Sequence, residues 1–293
     1  MAEHKVQHFL ARSYLKGFSA GRIGDQHQIW ILDKETKEIR LGAVEKTAAF
    51  SYYYSTLLPD GSYDHSVEEH FSGIEHDFLQ VVDRVKKNIE AANLGGVAPA
   101  PTLDDRTILC KYIFVHFLRV PKNMEWIEDS SRKHLERMES MGLLQYGENV
   151  LQNYMMKAFS HIEKQSSARA VSVLFSKNVA VEFAVRRRAS VFTCDNPVFR
   201  YNPRGADGII HEDTSVFFPL YYRACARLQG HGNQLRLEKH HDLSLIDDIN
   251  QGLIWNAIRE VYANDCERLR DAARRAGIAA IVRKPENVDL EPV

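Results

Sequence analysis

Apolar residues recur every three or four positions along two long stretches in the middle of the chain, which is the spacing of amphipathic helices. The first stretch runs from Ser66 to about Asn93, and its apolar stripe consists of Val67, Phe71, Ile74, Phe78, Val82, Val85 and Ile89. The second begins after Thr102, and its stripe consists of Leu109, Tyr112, Ile113, His116 and Val120, before Pro121 interrupts it. Ser66 with Glu69, and Thr102 with Asp105, have capping-box spacing. The short connection at residues 95–101 favours antiparallel packing of the two helices.

Other segments carry weaker helical patterns. Residues 5–18 are interpreted as a short helix, and residues 123–141 and 143–168 as further helices. Residues 170–184 fit a strand or a helix equally well. A last helix is predicted from Ser244, with Asp247 in the capping-box position.

Short β-type runs lie on both sides of this helical region. Residues 27–41 form a predicted hairpin, and residues 189–194 and 215–220 are predicted strands. Residues 222–228 and 234–237 flank a Gly-His-Gly-Asn turn and are predicted to pair as a second hairpin. The order of the elements predicts an α+β fold, in which a helical middle packs with short antiparallel β elements and a C-terminal helix closes the structure.

The length of 293 residues suits one large domain. Within it we expect a β-containing start at 1–63, a helical part at 64–185, a β part with the closing helix at 186–283, and a loose tail at 284–293.

The composition argues against some classes of binding partner but does not identify one. The chain has 38 Lys and Arg against 39 Asp and Glu, so its net charge of -1 gives no global attraction to nucleic acid or to an anionic membrane. Nucleic-acid binding would need a local basic patch, and the run at 186–188 is more typical of a solvated strand edge. The sequence lacks a membrane-spanning apolar run and a secretory signal. The four cysteines form no CxxC pair, so we expect a cytoplasmic protein without a disulfide framework.

The familiar catalytic signatures are absent. The sequence contains no GxxxxGK[ST] loop, no GxGxxG after a strand, no GxSxG elbow and no HExxH. No reaction can be assigned from such motifs.

Four polar residues fall on apolar helix faces, where polar groups are costly. At 100° per residue, Glu75 lies about 40° from Phe71 and His116 lies at the centre of its stripe. Arg119 lies at the edge of the same stripe, and Asn250 lies close to Leu253 on the last helix. Two interpretations stay open. Glu75 and Arg119 form a structural ion pair beside a hydrogen-bonded core histidine, or these residues line a pocket.

Other polar groups also have two interpretations. Asp195 and Asn196 follow a predicted strand, where a carboxylate could do chemistry, although Asp-Asn-Pro is also typical of a turn. His4 and His8 have the i, i+4 spacing of helical metal ligands, but two histidines are a weak signal. Residues 240–242, His-His-Asp, are interpreted as a solvated loop, and the tyrosines at 52–54 as packing residues.

Several of these segments occur in the order found in a known family. They are residues 7–18 (QHFLARSYLKGF), residues 29–34, Glu68 and Glu75, residues 116–121, residues 193–197, residues 218–220 and Asn250. In this order the sequence resembles domain-of-unknown-function family 4238 over about residues 7–265. It departs from the family pattern at Gln7, Ala11, His116 and Cys194. The resemblance implies a shared fold and a shared set of polar positions, but no reaction.

Seven residues are therefore the candidate site: His8, Glu75, His116, Arg119, Asp195, Asn196 and Asn250. One hypothesis is a hydrolase of phosphodiester or similar bonds, in which Asp195 and Glu75 hold a divalent metal or act as bases and Arg119 binds an anionic group. The alternative is a non-catalytic interaction module, for example a regulatory or defence-associated partner, in which these residues form a structural network. We expect His8, Glu75, Arg119 and Asp195 to lie in one neighbourhood. The oligomeric state and the physiological partner are not predicted.

Overall fold

The computed structural model describes residues 6–58, 60–94, 102–145, 147–185, 189–205, 211–283 and 290–291. It confirms the α+β fold. The α-helices of these ranges are α1 (Arg12–Lys16), α2 (Ser66–Asn93), α3 (Leu103–Arg119), α4 (Pro121–Ser140), α5 (Glu148–Phe175), α6 (Ser244–Asn256) and α7 (Cys266–Arg275). A short 3-10 turn spans Val44–Lys46.

The strands of the same ranges fall into two larger sheets and two small pairs. They are β1 (Val6–His8), β2 (Gly21–Ile23), β3 (Gln26–Asp33), β4 (Glu38–Ala43), β5 (Ala49–Ser51), β6 (Thr56–Leu57), β7 (Tyr63–Asp64), β8 (Asn178–Ala184), β9 (Thr193–Cys194), β10 (Phe199–Tyr201), β11 (Ser215–Tyr221), β12 (Ala224–Gln229), β13 (Leu235–His240), β14 (Glu260–Ala263) and β15 (Ile281–Arg283). No helix within the described ranges is both long and apolar enough to cross a membrane.

The helical layer consists of α2 to α5, with α2 packed on α3, and α5 packed on both α3 and α4. Thr102 and Asp105 form the predicted reciprocal capping box at the start of α3. The other two predicted capping boxes are wrong. Helices α2 and α6 begin at Ser66 and Ser244 as expected, but the residue before each helix makes no side-chain cap. Instead an aspartate two residues before each helix start accepts a hydrogen bond from the backbone N–H of that serine.

The five-stranded sheet has the order β10-β11-β12-β8-β13. The predicted hairpin of β12 with β13 is wrong, because β8 lies between them and pairs antiparallel with β12 but parallel with β13. The connecting loop crosses the end of β8, where Gly232 N donates to Ser176 O over 2.8 Å. The stretch at 170–184, which fitted a strand or a helix, contains both. Helix α5 ends within it at Phe175, and strand β8 begins at Asn178.

The two faces of this sheet pack against different layers, because successive side chains point to opposite faces. Val181, Phe183 and Phe218 lie in the core shared with the helical layer. Phe199 and Phe217 point the other way, into a second core formed with α6, α7 and the six-stranded sheet. That sheet has the order β15-β4-β3-β14-β9, with β2 paired to β3, and its β3–β4 hairpin is the predicted one.

Three further expectations need correction. The N-terminal segment contains strand β1 before the short α1, so His8 lies on a strand and not on a helix. Of the predicted strand at 189–194, only Thr193 and Cys194 pair. The helix at Ser244 is followed by β14 and by α7, which is the closing helix. The runs at 95–101 and 186–188, and most of the expected tail, lie outside the described residues.

Candidate functional site

Arg119 is the centre of a buried cluster that joins three segments of the chain. Its side chain is 1% exposed, and Nη1 lies 2.5 Å from Oε1 of Glu75. Nη2 donates to the backbone carbonyl of His8 over 2.7 Å, and Nε donates to the hydroxyl of Tyr54 over 3.2 Å. The guanidinium also lies over the ring of Phe71, 4.5 Å from its centroid. The ion pair predicted from helical spacing is therefore present.

Electrostatics keep Arg119 charged within this cluster. Burial alone would lower its pKa, but the neighbouring Tyr54 and Glu75 raise the pKa above its usual value. Glu75 is 19% exposed, so solvent reaches the carboxylate side of the pair and not the guanidinium. The arrangement holds β1, α2 and α3 together, and Arg119 has no face turned to an open site.

His8 contributes its backbone carbonyl to the cluster, while its ring points to the carbonyl of Glu45 at 3.2 Å. Burial, and then the charge of Arg12, lower the pKa of His8 to about 4. The imidazole is therefore neutral at pH 7. The predicted metal pair of His4 and His8 required both residues to lie on a helix. His8 lies on strand β1 instead, and His4 lies outside the described residues.

His116 lies one helical turn before Arg119 and is fully buried. Its ring is surrounded by Tyr14, Tyr112 and Phe218, with centroids at 5.3, 4.4 and 5.4 Å. Among the described residues neither ring nitrogen has a hydrogen-bond partner, and neither does the hydroxyl of Tyr112. Burial and then Arg119 hold the pKa of His116 well below its usual range. His116 is thus a neutral core histidine, but not the hydrogen-bonded one that we expected.

Asp195 directly follows β9, and its carboxylate accepts hydrogen bonds from backbone N–H groups. Its Oδ1 accepts from the N–H of Ile258 at 2.8 Å, and its Oδ2 accepts from Arg259 and Glu260 at 2.7 and 2.9 Å. Burial raises the pKa of Asp195, although these three donors lower it. With both oxygens engaged by backbone N–H groups, the carboxylate closes the turn that leads into β14.

The expectation that Asp195 shares a neighbourhood with the Arg119 cluster stays a prediction. No hydrogen bond or ion pair joins it to His8, Glu75 or Arg119 within the described part of the chain. Val191 and Cys194 pack into the second core with α6 and not on the helical layer, whereas Thr193 Oγ1 lies 2.8 Å from the hydroxyl of Tyr14, whose ring contacts His116.

Asn196 and Asn250 also hold backbone in place. Asn196 Nδ2 donates to the carbonyl of Asn256 over 3.2 Å. Asn250 lies on α6, where its Nδ2 donates to Ser190 O over 2.7 Å and its Oδ1 accepts from Phe192 N over 2.9 Å. This clamp holds the irregular stretch before β9 against α6. Four of the seven candidates thus lie on β1, α2 and α3, and the other three contact backbone around α6 and β14.

An open space lies elsewhere among the described residues, between one face of the five-stranded sheet and α6. A cleft of about 860 Å³ is found there. Its apolar walls are Phe199, Tyr201, Pro203, Phe217, Leu245, Ile249 and Trp255, and its polar residues include Arg200, Asp213, Ser215, Arg227, Gln229 and Asp248. A smaller cavity of about 320 Å³ extends along the same face, sharing Asp213, Arg227 and Gln229 with the cleft. None of the seven candidates is among the described residues that line either cavity.

A polar network continues from the cleft along the same sheet face. Arg227 Nε lies 2.6 Å from Oε1 of the fully buried Glu182, and Arg227 Nη2 lies 3.2 Å from Oε2 of Glu238. His240 Nε2 lies 2.5 Å from Oε2 of Glu182. Arg236 Nε reaches Oε1 of Glu238 at 2.5 Å. His240 thus belongs to β13, and not to the solvated loop that the sequence predicted.

The sequence carried a weak signal for this region. Alternation of period two places Phe199 and Tyr201 on one face of β10, and Arg227 and Gln229 on one face of β12. Gly252 marks the close approach of α6, because a Cβ there would lie 2.6 Å from the ring of Phe199. Neither signal shows by itself that the face borders a cleft.

Comparison with known proteins gives one result. The family model described as protein of unknown function (DUF4238) matches residues 6–267. The chain belongs to this family. No curated protein and no solved structure matches it. In this DUF4238 chain the polar motif residues Glu75, Arg119, Asp195 and Asn250 all make contacts that join distant segments, as described above.

Proposed function

We propose that this DUF4238 protein is a non-catalytic binding module whose ligand occupies the cleft between the five-stranded sheet and α6. The observation that carries the proposal is the contrast between two regions. The motif polar groups are engaged in ion pairs, capping contacts or the aromatic core, whereas a cleft of about 860 Å³ lies open beside them. Clefts of several hundred Å³ are the usual size of small-molecule sites.

The lining indicates the ligand class. Three arginines and three acidic residues are among the described residues lining the two cavities: Arg200, Arg227, Arg236, Glu212, Asp213 and Asp248. Equal numbers of each sign give no field that would favour a polyanion such as nucleic acid. The rings of Tyr201 and Trp255 offer apolar surface with a polar edge. A neutral or zwitterionic ligand with an aromatic or apolar body fits this combination.

Exposed aromatic residues provide the test. Trp255 on the cleft is 71% exposed, and Trp126 on α4, away from the cleft, is 64% exposed. The probe is Nile red, an uncharged dye whose fluorescence rises in apolar clefts. We expect Trp255→Ala to weaken its binding by about tenfold, which is about 1.4 kcal/mol.

The matched control is Trp126→Ala, which removes an equally exposed indole and should leave probe binding unchanged. Compounds that displace the probe from the wild-type protein then identify ligand candidates. Equal binding of the probe by the wild type and by Trp255→Ala would contradict the proposed location.

The hydrolase hypothesis stays a prediction. It is supported less well, because Asp195 offers both oxygens to backbone N–H groups and Glu75 offers one to Arg119. Its test is a nuclease assay with divalent metal, comparing the wild type with Glu75→Ala and Asp195→Ala. A wild-type activity that both variants retain would contradict their assignment as catalytic groups.

A further inference from the structure

The polar network beside the cleft contains the donor set of a metal site. Glu182, Glu238 and His240 each offer one ligand atom, and these atoms lie within 4.8 Å of one another. We propose that the three side chains bind a divalent first-row transition ion of the Zn²⁺ class. The inference is independent of the ligand proposed for the cleft.

The three ligand atoms already lie close enough together that a bound ion would require only small side-chain movements. For three atoms separated by at most 4.8 Å, some point lies within about 2.8 Å of all three. Zn²⁺ binds nitrogen and carboxylate oxygen at about 2.0–2.2 Å. An ion at that point would therefore draw each ligand atom inward by less than about 1 Å, which side-chain rotation can supply.

The backbone under the site is held by strand pairing. Glu238 pairs with Glu182 in the parallel register of β13 with β8, so the two side chains lie on the same face. His240 lies two residues further along β13 and points the same way. The ligands thus come from two paired strands of one sheet and not from a loop, which is how a preorganised site is built.

Arg227 is the competing cation, and its position decides whether an ion can enter. It contacts Oε1 of Glu182, whereas His240 contacts Oε2 of the same carboxylate. An ion would take the place of the hydrogen between His240 Nε2 and Glu182 Oε2, because a metal-bound imidazole nitrogen carries no proton. Arg227 keeps its hydrogen bond to Oε1, and such hydrogen bonds to metal-bound carboxylates are common.

Solvent access and the types of ligand atom limit which metal ions the site can bind. Glu182 is fully buried, but the side chains of Glu238 and His240 are 24% and 28% exposed, so the ion and a water ligand can reach the site from solvent. A fully buried carboxylate is normally paired or bound to a metal. The imidazole nitrogen favours transition ions over Ca²⁺ and Mg²⁺, which prefer oxygen ligands.

The test uses the full chain, stripped with a chelator and returned to chelator-free buffer. Zn²⁺ is titrated by calorimetry, and Co²⁺ is titrated by visible absorption, which reports the coordination geometry of the bound ion. We expect saturable binding that is weakened by about tenfold or more in His240→Gln and in Glu238→Gln.

Both variants replace part-exposed residues with amides of similar size, so the fold should persist, which circular dichroism of the metal-free proteins checks. The control is His241→Gln, which removes the exposed neighbouring imidazole and should bind Zn²⁺ as the wild type does. Other histidines of the chain contribute equally to all four proteins. Wild-type protein that takes up no Zn²⁺, or variants that bind it equally well, would overturn the proposal and leave Arg227 as the cation of the network.

Discussion

Replacement of Arg119 by methionine should be among the most destabilising single changes in this protein. Methionine keeps an unbranched apolar stem among the aromatic rings, but it lacks the guanidinium that lies over Phe71 and donates no hydrogen bond. The buried carbonyl of His8 and the hydroxyl of Tyr54 would each lose a donor, at about 1–3 kcal/mol for a buried unsatisfied group. The carboxylate of Glu75, which would lose its partner, can turn toward solvent, so the broken ion pair adds less to the cost. Removal of one partner of a buried pair costs about 3–5 kcal/mol, and we expect a value in that range.

The measurement is the free energy of unfolding from urea denaturation followed by circular dichroism. The chain offers a matched control in Arg84→Met, because Arg84 also joins α2 to α3 through an ion pair, with Asp105. The side chain of Arg84 is 48% exposed, whereas that of Asp105 is 5% exposed and also accepts a hydrogen bond from the backbone N–H of Thr102 over 2.9 Å. A half-exposed guanidinium contributes only up to about 1 kcal/mol, and Asp105 keeps its backbone donor, so we expect Arg84→Met to cost less than Arg119→Met. The difference between the two variants therefore reports the effect of burying the guanidinium.

Glu75→Gln separates charge from shape in the same assay. The amide can still accept from Arg119, but the guanidinium loses its counter-charge in a buried setting, so we expect a loss of about 1–3 kcal/mol. If Arg119→Met lost no more stability than Arg84→Met, the cluster would not be holding the three segments together, and our structural interpretation of the DUF4238 motif residues would fail.

Three other predictions use thermal or urea unfolding of point variants. Gly252→Ala should cost about 1–3 kcal/mol because its Cβ would lie 2.6 Å from the ring of Phe199, whereas Gly73→Ala, where the Cβ would meet nothing within 4 Å, should stabilise by about 0.5–1 kcal/mol. Asp195→Asn should cost about 1–3 kcal/mol, because one carbonyl oxygen cannot serve three N–H donors, and an unchanged midpoint would refute the capping role. His8 has a pKa of about 4 when folded against 6.5 when unfolded, so the unfolded chain binds the proton first and stability should fall as the pH drops from about 6.5 to about 4. His8→Gln should show a shallower fall over this window, and an identical pH profile would contradict that assignment.

Helical periodicity succeeded where the deciding interactions are local. Glu75 and Arg119 fall on apolar stripes by counting residues, and a buried charge needs a partner, so their pairing could be predicted. The capping box of Thr102 with Asp105 is likewise a contact over three residues. Ser66 has the same spacing to Glu69 but makes no cap, because the helix already includes Ser66 and an earlier aspartate binds its N–H.

Strand partners could not be predicted in the same way. The Gly-His-Gly-Asn turn favours a hairpin, and nothing near it shows that β8, from about 50 residues earlier in the chain, occupies the place between the two strands. The residues just before Asp195 were assigned to the wrong layer for a similar reason. Val191 and Cys194 are apolar, and either the helical layer or α6 would bury them equally well.

The cleft could not be predicted from the sequence, because it is formed by the relative positions of several elements and has no sequence pattern of its own. Its walls come from β10, β11, β12 and α6, and its shape depends on how far α6 stands from the sheet. Asn250 clamps α6 to the stretch before β9, and Asp195 clamps that strand to the start of β14. Two of the polar motif residues, Asn250 and Asp195, therefore act on the cleft indirectly, by setting the position of the helix that forms one wall. It follows that two proteins with this motif set can share the frame and still bind different ligands, because the residues that face the cleft lie outside the motifs. Ligand binding at the proposed cleft should accordingly change with Trp255 and Arg227, while changes at Arg119 or Asp195 should act through stability.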